Sequence, residues 1–179
     1  MINEILRHNE EFVAKEAYKP FITSKYPDKK IAIVTCMDTR LVELLPAALG
    51  IKNGDVKMIK NAGGMITDPW DSTMRSILVA VYELGVTEIM IIGHTECGVQ
   101  GMNSEEMLHL IEKRGVPEER IALVKHCGID LDKWFKGFDD TPKAVLESVE
   151  LVRNHPFLPE DVNVSGYIMD STTGKLTKL

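Results

Sequence analysis

Short runs rich in apolar and β-branched residues recur along the chain. The runs at 31–35 and 88–92 are continuous, which is typical of strands buried on both faces of a sheet. Similar runs at 56–60 and 162–169 predict two further strands. A last short strand is expected at 175–179, after a turn rich in serine, threonine and glycine.

Helical spacing of apolar residues separates these strands. Residues 1–19 predict an amphipathic helix ended by Pro20, and Thr141 followed by Pro142 is interpreted as a helix cap with proline in the first helical position. The alternation predicts one α/β domain over residues 1–179, with a mainly parallel central sheet of four strands, a short C-terminal antiparallel strand and helices on both faces. The remaining helices are expected at 40–49, 74–84, 104–114, 117–125, 131–135 and 141–154.

The net charge and the lengths of the apolar stretches argue against several classes of protein. The 179 residues carry a net charge of −6, which argues against nucleic acid or an anionic membrane as partner. No apolar stretch approaches the ~20 residues that span a bilayer, and the first seven residues lack the basic character of a signal peptide. We therefore expect a cytoplasmic protein, in which three cysteines serve as ligands or packing residues rather than as disulfide partners.

Metal-ligand side chains follow two of the predicted strands. Cys36 comes directly after the first strand, and His94 and Cys97 come after the third. A His-x-x-Cys pair alone is equally compatible with a loop histidine beside an inert thiol. Adding Cys36 to this pair favours a metal site, because the carboxyl ends of adjacent parallel strands meet at one edge of a sheet. Two thiolates and one imidazole suit zinc and leave a fourth position for water or substrate.

Two further motifs lie at the same predicted edge. Asp38 and Arg40 follow Cys36, and they form either a solvated surface pair of little energetic worth or a bidentate pair that fixes a carboxylate beside the metal. Counting Cys36 as a ligand favours the second interpretation. The paired glycines Gly63 and Gly64 are expected to let the backbone approach a ligand closely.

These motifs together resemble one known family. The segments 36–40, 61–63 and 93–98 are similar to those of the β-class carbonic anhydrases, and 164–167 with 170–176 is similar to that family's last two strands. The resemblance covers about residues 25–179 and is strongest to the compact prokaryotic branch. It implies a zinc lyase for the reversible hydration of carbon dioxide to bicarbonate and a proton, by attack of zinc-bound hydroxide.

The resemblance also implies roles for individual residues. Cys36, His94 and Cys97 would hold zinc. Asp38 and Arg40 would form the catalytic pair, in which Arg40 anchors Asp38 and Asp38 orients the bound hydroxide. In a closed state known in the family, Asp38 itself becomes a conditional fourth ligand. Apolar walls for the substrate pocket are expected from Met37, Met65 and Ile66.

Several alternatives remain open at this level. The same chemistry could hydrolyse carbonyl sulfide or carbon disulfide, since both are linear apolar electrophiles. A non-catalytic zinc module, closed permanently by Asp38, belongs to a different class, whereas a redox thiol protein is disfavoured because no Cys-x-x-Cys occurs. The resemblance further implies a homodimer or homotetramer in which an N-terminal arm, residues 1–24, packs on the partner subunit.

Overall fold

The computed structural model describes residues 1–179 and contains one five-stranded sheet. Its order is β2-β1-β3-β4-β5; the first four strands are parallel, and β5 runs antiparallel to β4. This architecture confirms the predicted α/β fold. The strands are β1 (Ile31–Cys36), β2 (Val56–Asn61), β3 (Glu88–His94), β4 (Asn163–Met169) and β5 (Leu176–Lys178).

Seven α-helices connect and flank the strands, with short 3-10 turns at Lys19–Phe21 and Ala62–Gly64. The helices are α1 (Ile2–Ala14), α2 (Leu41–Ala48), α3 (Ser72–Leu84), α4 (Ser104–Lys113), α5 (Glu118–His126), α6 (Leu131–Trp134) and α7 (Thr141–Arg153).

Two helix ends differ from the prediction. The first helix ends at Ala14 rather than near Pro20, because Glu16 takes a left-handed backbone conformation with φ of 52°. Asp140, not Thr141, caps α7: its carboxylate accepts a hydrogen bond from the Lys143 N–H at 2.7 Å. A carboxylate in the capping position satisfies an N–H that the first helical turn leaves free.

Separate hydrophobic clusters cover the two faces of the sheet. On one face, alternate residues of β1 and β3, among them Val34 and Ile91, pack with side chains of α3 and α7. On the other face, Ile33 and Ile92 pack with Leu41 of α2. Successive strand residues point to opposite faces, so the continuous apolar runs supply both clusters. The prediction of helices on both faces is confirmed.

Helix α1 contributes nothing to either cluster. It has no buried residue, and Ile5 and Leu6 on its apolar side are 65% and 57% exposed. The helix therefore does not dock on its own sheet. None of the helices combines the length and the apolar character needed to cross a membrane.

Gly93 of β3 lies where the side chains of α7 pack tightly on the sheet. A methyl group added there would lie 2.7 Å from Val145 Cγ2 and 3.0 Å from Thr141 Cγ2. Gly93→Ala should therefore lower the free energy of unfolding by about 1–3 kcal/mol through overpacking, measured by urea denaturation. Gly98→Ala, where the added atom meets nothing within 4 Å, is the control and should cost less than about 0.5 kcal/mol. Equal losses in the two variants would contradict this account of the packing.

Candidate metal centre

Two neighbouring strand ends bring the predicted ligands together. β1 pairs with β3 in parallel; β1 ends at Cys36 and β3 at His94, while Cys97 follows in the next turn. The two sulfurs and a ring nitrogen of His94 all lie within 4.8 Å of one another, and the three residues are buried. The Cys36 and Cys97 sulfurs are 3.9 Å apart. These three donor atoms could hold one metal ion.

The hydrogen bonding of His94 fits a metal ligand. Its Nδ1 lies 2.8 Å from the Thr95 carbonyl oxygen, which can only accept, so Nδ1 carries the proton and Nε2 presents a lone pair. Nε2 is buried and has no hydrogen-bond partner. An unpartnered buried acceptor is costly and uncommon, and coordination to a metal would satisfy it. The donor set is therefore both geometrically and chemically suited to a metal ion.

The two thiols differ in acidity. Burial alone would raise the pKa of Cys36, but the adjacent His94 ring, when it is protonated in the absence of a metal, and the backbone N–H groups of Asp38 and Gly63 lower it to about 7. Burial raises the pKa of Cys97, and the neighbouring Cys36 adds to the effect. One thiolate thus forms readily near neutral pH, whereas the second depends on the positive charge of a bound metal.

The side chain of Asp38 is held by Arg40. Arg40 Nε donates to Oδ1 at 3.1 Å, Nη2 donates to Oδ2 at 2.9 Å, and the Arg40 backbone N–H donates to Oδ1 at 2.9 Å. These hydrogen bonds lower the pKa of Asp38 to about 2, so the carboxylate is ionised throughout the neutral range. Its Oδ2 lies 3.9 Å from His94 Nε2. The structure therefore brings Asp38 and Arg40 beside the three candidate ligands, in the bidentate arrangement.

Glu96 is a contact that sequence reasoning missed. Its Oε2 accepts from Arg40 Nη1 at 3.0 Å, and its backbone carbonyl accepts from Arg40 Nη2 at 3.0 Å. An acidic residue in a loop is ordinarily solvated, so its type alone carried no signal. Its place between His94 and Cys97 was the one available clue.

The turn with the paired glycines packs closely on β1. Gly64 has φ of +67°, and a Cβ there would lie 2.7 Å from the Cys36 nitrogen and 2.8 Å from the Thr35 carbonyl carbon. Gly64 therefore lets this turn approach the backbone of β1 closely, while the approach of the two glycines to a ligand stays a prediction. The turn thereby also aims the Gly63 N–H at the Cys36 thiol.

A cleft of about 830 Å³ opens beside the turn that follows β2. Met65 and Ile66 line it, whereas Met37 does not and is 64% exposed. None of the three candidate ligands is among its lining residues. Val99, Met102 and Phe138 add apolar surface that the sequence did not point to, because they come from a distant part of the chain.

A parallel α/β sheet with a buried Cys-His-Cys group at its strand ends defines a class of candidate metalloenzymes. The model of one protein family, described as carbonic anhydrase, matches residues 31–176. The chain belongs to this family. Its resemblance to the β class, inferred from the motifs, is confirmed by the relatives described below.

One relative is "Putative carbonic anhydrase YtiB" of Bacillus subtilis (strain 168), which is 52% identical over 98% of this chain and 94% of its own length. A solved structure, β-carbonic anhydrase isoform I of Trichomonas vaginalis, has a TM-score of 0.88 and 36% identity, covering 99% of this chain and 96% of the other. A third relative, "Carbon disulfide hydrolase" of Saccharolobus solfataricus, is 32% identical over 99% of this chain and 90% of its own length.

The contact of Gly64 with β1 generates a test. Gly64→Ala should weaken binding of Co²⁺, used as a spectroscopic probe, by about 10–100-fold, because the added atom displaces the backbone that carries Cys36. Gly50→Ala is a matched control: Gly50 has φ of +63°, but an added Cβ meets nothing within 4 Å. Both variants place alanine in a left-handed backbone conformation, so they share that destabilisation. Only Gly64→Ala also disturbs the backbone at Cys36, and therefore only it should change the thiolate absorption of the Co²⁺ form. Equal Co²⁺ affinities would refute the role of this contact.

Proposed function

We propose that this protein binds zinc through Cys36, His94 and Cys97 and catalyses the reversible hydration of carbon dioxide to bicarbonate and a proton. The observation that carries the proposal is the buried, unpartnered His94 Nε2 beside two sulfurs, with an ionised carboxylate next to it. Membership of the carbonic anhydrase family supports it.

The residues at the site have different roles in the proposed reaction. Zinc, when bound, would supply Lewis acidity that makes water a nucleophile near neutral pH. Three protein ligands would leave a fourth position on zinc for solvent. Asp38, ionised and held by Arg40, would accept a hydrogen bond from that solvent and so orient it. Because the pKa of Asp38 is about 2, this carboxylate orients rather than stores the proton.

A non-catalytic, closed zinc module is less well supported. For Asp38 to become a permanent fourth ligand, its carboxylate would have to leave Arg40. Both of its oxygens accept hydrogen bonds from the Arg40 side chain, at 3.1 and 2.9 Å. Breaking a bidentate, charge-assisted pair of this kind costs free energy that a closed state would have to recover. The arrangement of Asp38 therefore favours an open site.

Hydrolysis of carbon disulfide or carbonyl sulfide is a second candidate. The observation that favours it is the relative named carbon disulfide hydrolase, at 32% identity over nearly the whole chain. A linear apolar substrate of either kind would suit the apolar wall formed by Met65, Ile66 and Val99. The two candidates share the same metal and the same Asp38, so they must be separated by direct assay.

We further propose that residues 1–179 form one β-carbonic-anhydrase-like domain that assembles as a homodimer or homotetramer. The arm of residues 1–24 would pack on the partner subunit, since α1 buries no residue within its own chain. Ile5 and Leu6 would then lose their exposure in the assembly.

The assembly can be tested on the full-length chain. Replacing Ile5 and Leu6 together by serine should shift the mass measured by light scattering towards the monomer, because it removes the apolar side of the arm. Glu10→Ser, on the same exposed helix, should leave the mass unchanged. A wild-type protein that is monomeric at micromolar concentration would rule out the proposed assembly.

The activity is tested by metal analysis with stopped-flow hydration at pH 8.5. The wild type should carry one zinc per chain and hydrate carbon dioxide, and Cys97→Ser should lose both because one ligand is gone. Arg40→Ala should keep the metal but lose about 10–100-fold in turnover, since Asp38 is no longer held. Arg153→Ala, which removes a 3.0 Å ion pair to Glu150 on α7 and a 2.7 Å hydrogen bond to the Val164 carbonyl of β4, is the control and should keep full turnover.

The outcomes separate the candidates. If the protein carries one zinc per chain but hydrates carbon dioxide no faster than buffer does, the non-catalytic, closed zinc module is favoured. Release of hydrogen sulfide from carbon disulfide, with no hydration of carbon dioxide, would favour the second candidate. Absence of zinc in the wild type would overturn both enzymatic proposals.

A further inference from the structure

Arg40 contacts two carboxylates at once. Its Nε and Nη2 donate to Asp38, while Nη1 donates to Glu96 Oε2 at 3.0 Å and Nη2 also donates to the Glu96 carbonyl oxygen at 3.0 Å. Glu96 Oε2 is the only hydrogen-bond acceptor that Nη1 reaches in the structure. Because the guanidinium is planar, fixing both of its edges fixes its orientation.

The backbone at Glu96 is unusual. Glu96 has φ of 54°, in the left-handed region that favours glycine, and it lies in the turn between His94 and Cys97. A residue with a side chain at such a conformation carries a free-energy cost that glycine would avoid. The conformation nevertheless lets the carbonyl and the carboxylate of Glu96 both face Arg40.

Stability does not explain this arrangement. The side chains of Arg40 and Glu96 are 40% and 75% exposed, and ion pairs at such exposure contribute little to folding. The main effect of the Arg40–Glu96 ion pair is on the orientation of the Arg40 side chain. Arg40 joins the segment that carries Cys36 and Asp38 to the segment that carries His94, so its orientation determines how Asp38 faces the ligand atoms.

We propose that Glu96 is a positioning residue, which holds the Arg40 guanidinium so that Asp38 stays beside the metal-binding atoms. It acts through Arg40 and touches neither metal nor substrate. Its kinetic consequence rests on the proposed hydration activity, whereas its structural consequence can be measured without any activity.

The structural consequence is tested by NMR on the full-length protein as it is purified. In the wild type, hydrogen exchange of the Arg40 Nε–H, assigned from its loss in Arg40→Lys, should be slow. Glu96→Ala should accelerate it on the order of tenfold, because the guanidinium gains freedom to leave Asp38. Glu150→Ala breaks an ion pair of the same 3.0 Å length, to Arg153, and should leave the Arg40 exchange rate unchanged. An unaltered Arg40 rate in Glu96→Ala would overturn the proposal.

The kinetic consequence is tested with three substitutions. Glu96→Ala and Glu96→Gly should lower kcat by about fivefold with KM within about twofold, a smaller loss than for a residue that contacts the metal-bound group directly. Glu96→Gln should restore most of the kcat, since its amide oxygen still accepts from Nη1. In an Arg40→Ala background, Glu96→Ala should cause no further loss. An additional fivefold loss in that background would show that Glu96 does not act through Arg40.

Glycine at this position separates positioning from folding. Glu96→Gly should have a Tm on the order of 2–4 °C above that of Glu96→Ala, because glycine relieves the left-handed backbone. Lys30→Gly, at φ of 54° and remote from the site, should show a similar gain without a change in kcat. Reduced kcat in the more stable Glu96→Gly would support positioning, and full kcat would overturn it. If the wild type shows no hydration, the proposed function fails and the Arg40 exchange rate still decides the role of Glu96.

Discussion

The site depends on the parallel pairing of two neighbouring strands, β1 and β3. Their pairing aligns Cys36 and His94 at one edge, where a buried imidazole nitrogen is left without a partner beside two sulfurs. A buried acceptor that finds no donor destabilises a fold, and a metal ion bound by these three residues could supply the missing partner. The rest of the site follows from those two strand ends: Cys97 in the turn after β3, and Asp38 in the turn after β1.

Arg40 then links these two turns. It binds Asp38 on one edge and Glu96 on the other, so the segments that carry the three candidate ligands are joined by charge-assisted hydrogen bonds as well as by the sheet. This explains how a carboxylate outside the metal-ligand set keeps its place on a partly exposed edge. It also connects Glu96 to Asp38 through a single guanidinium group.

Much of the fold could be predicted because its signals are local. Buried parallel strands appear as continuous apolar runs, and their carboxyl ends were predictable as the edge of the site. The errors came from contacts that periodicity does not report. Glu16 ends the first helix early, and Asp140 rather than Thr141 caps α7. Gly64 serves the packing of its turn on β1, a contact between segments far apart in the chain.

The sequence alone determined the order of strands and helices along the chain, the residue types of the candidate ligand set and the family resemblance. Each of these is carried by short runs of adjacent residues. Only the tertiary structure decided the distances between the sulfurs and the imidazole, the second carboxylate on Arg40 and the apolar wall supplied by Val99, Met102 and Phe138. These features join residues that are distant along the chain. Their geometry therefore depends on how the sheet and both hydrophobic clusters pack, which no local pattern specifies.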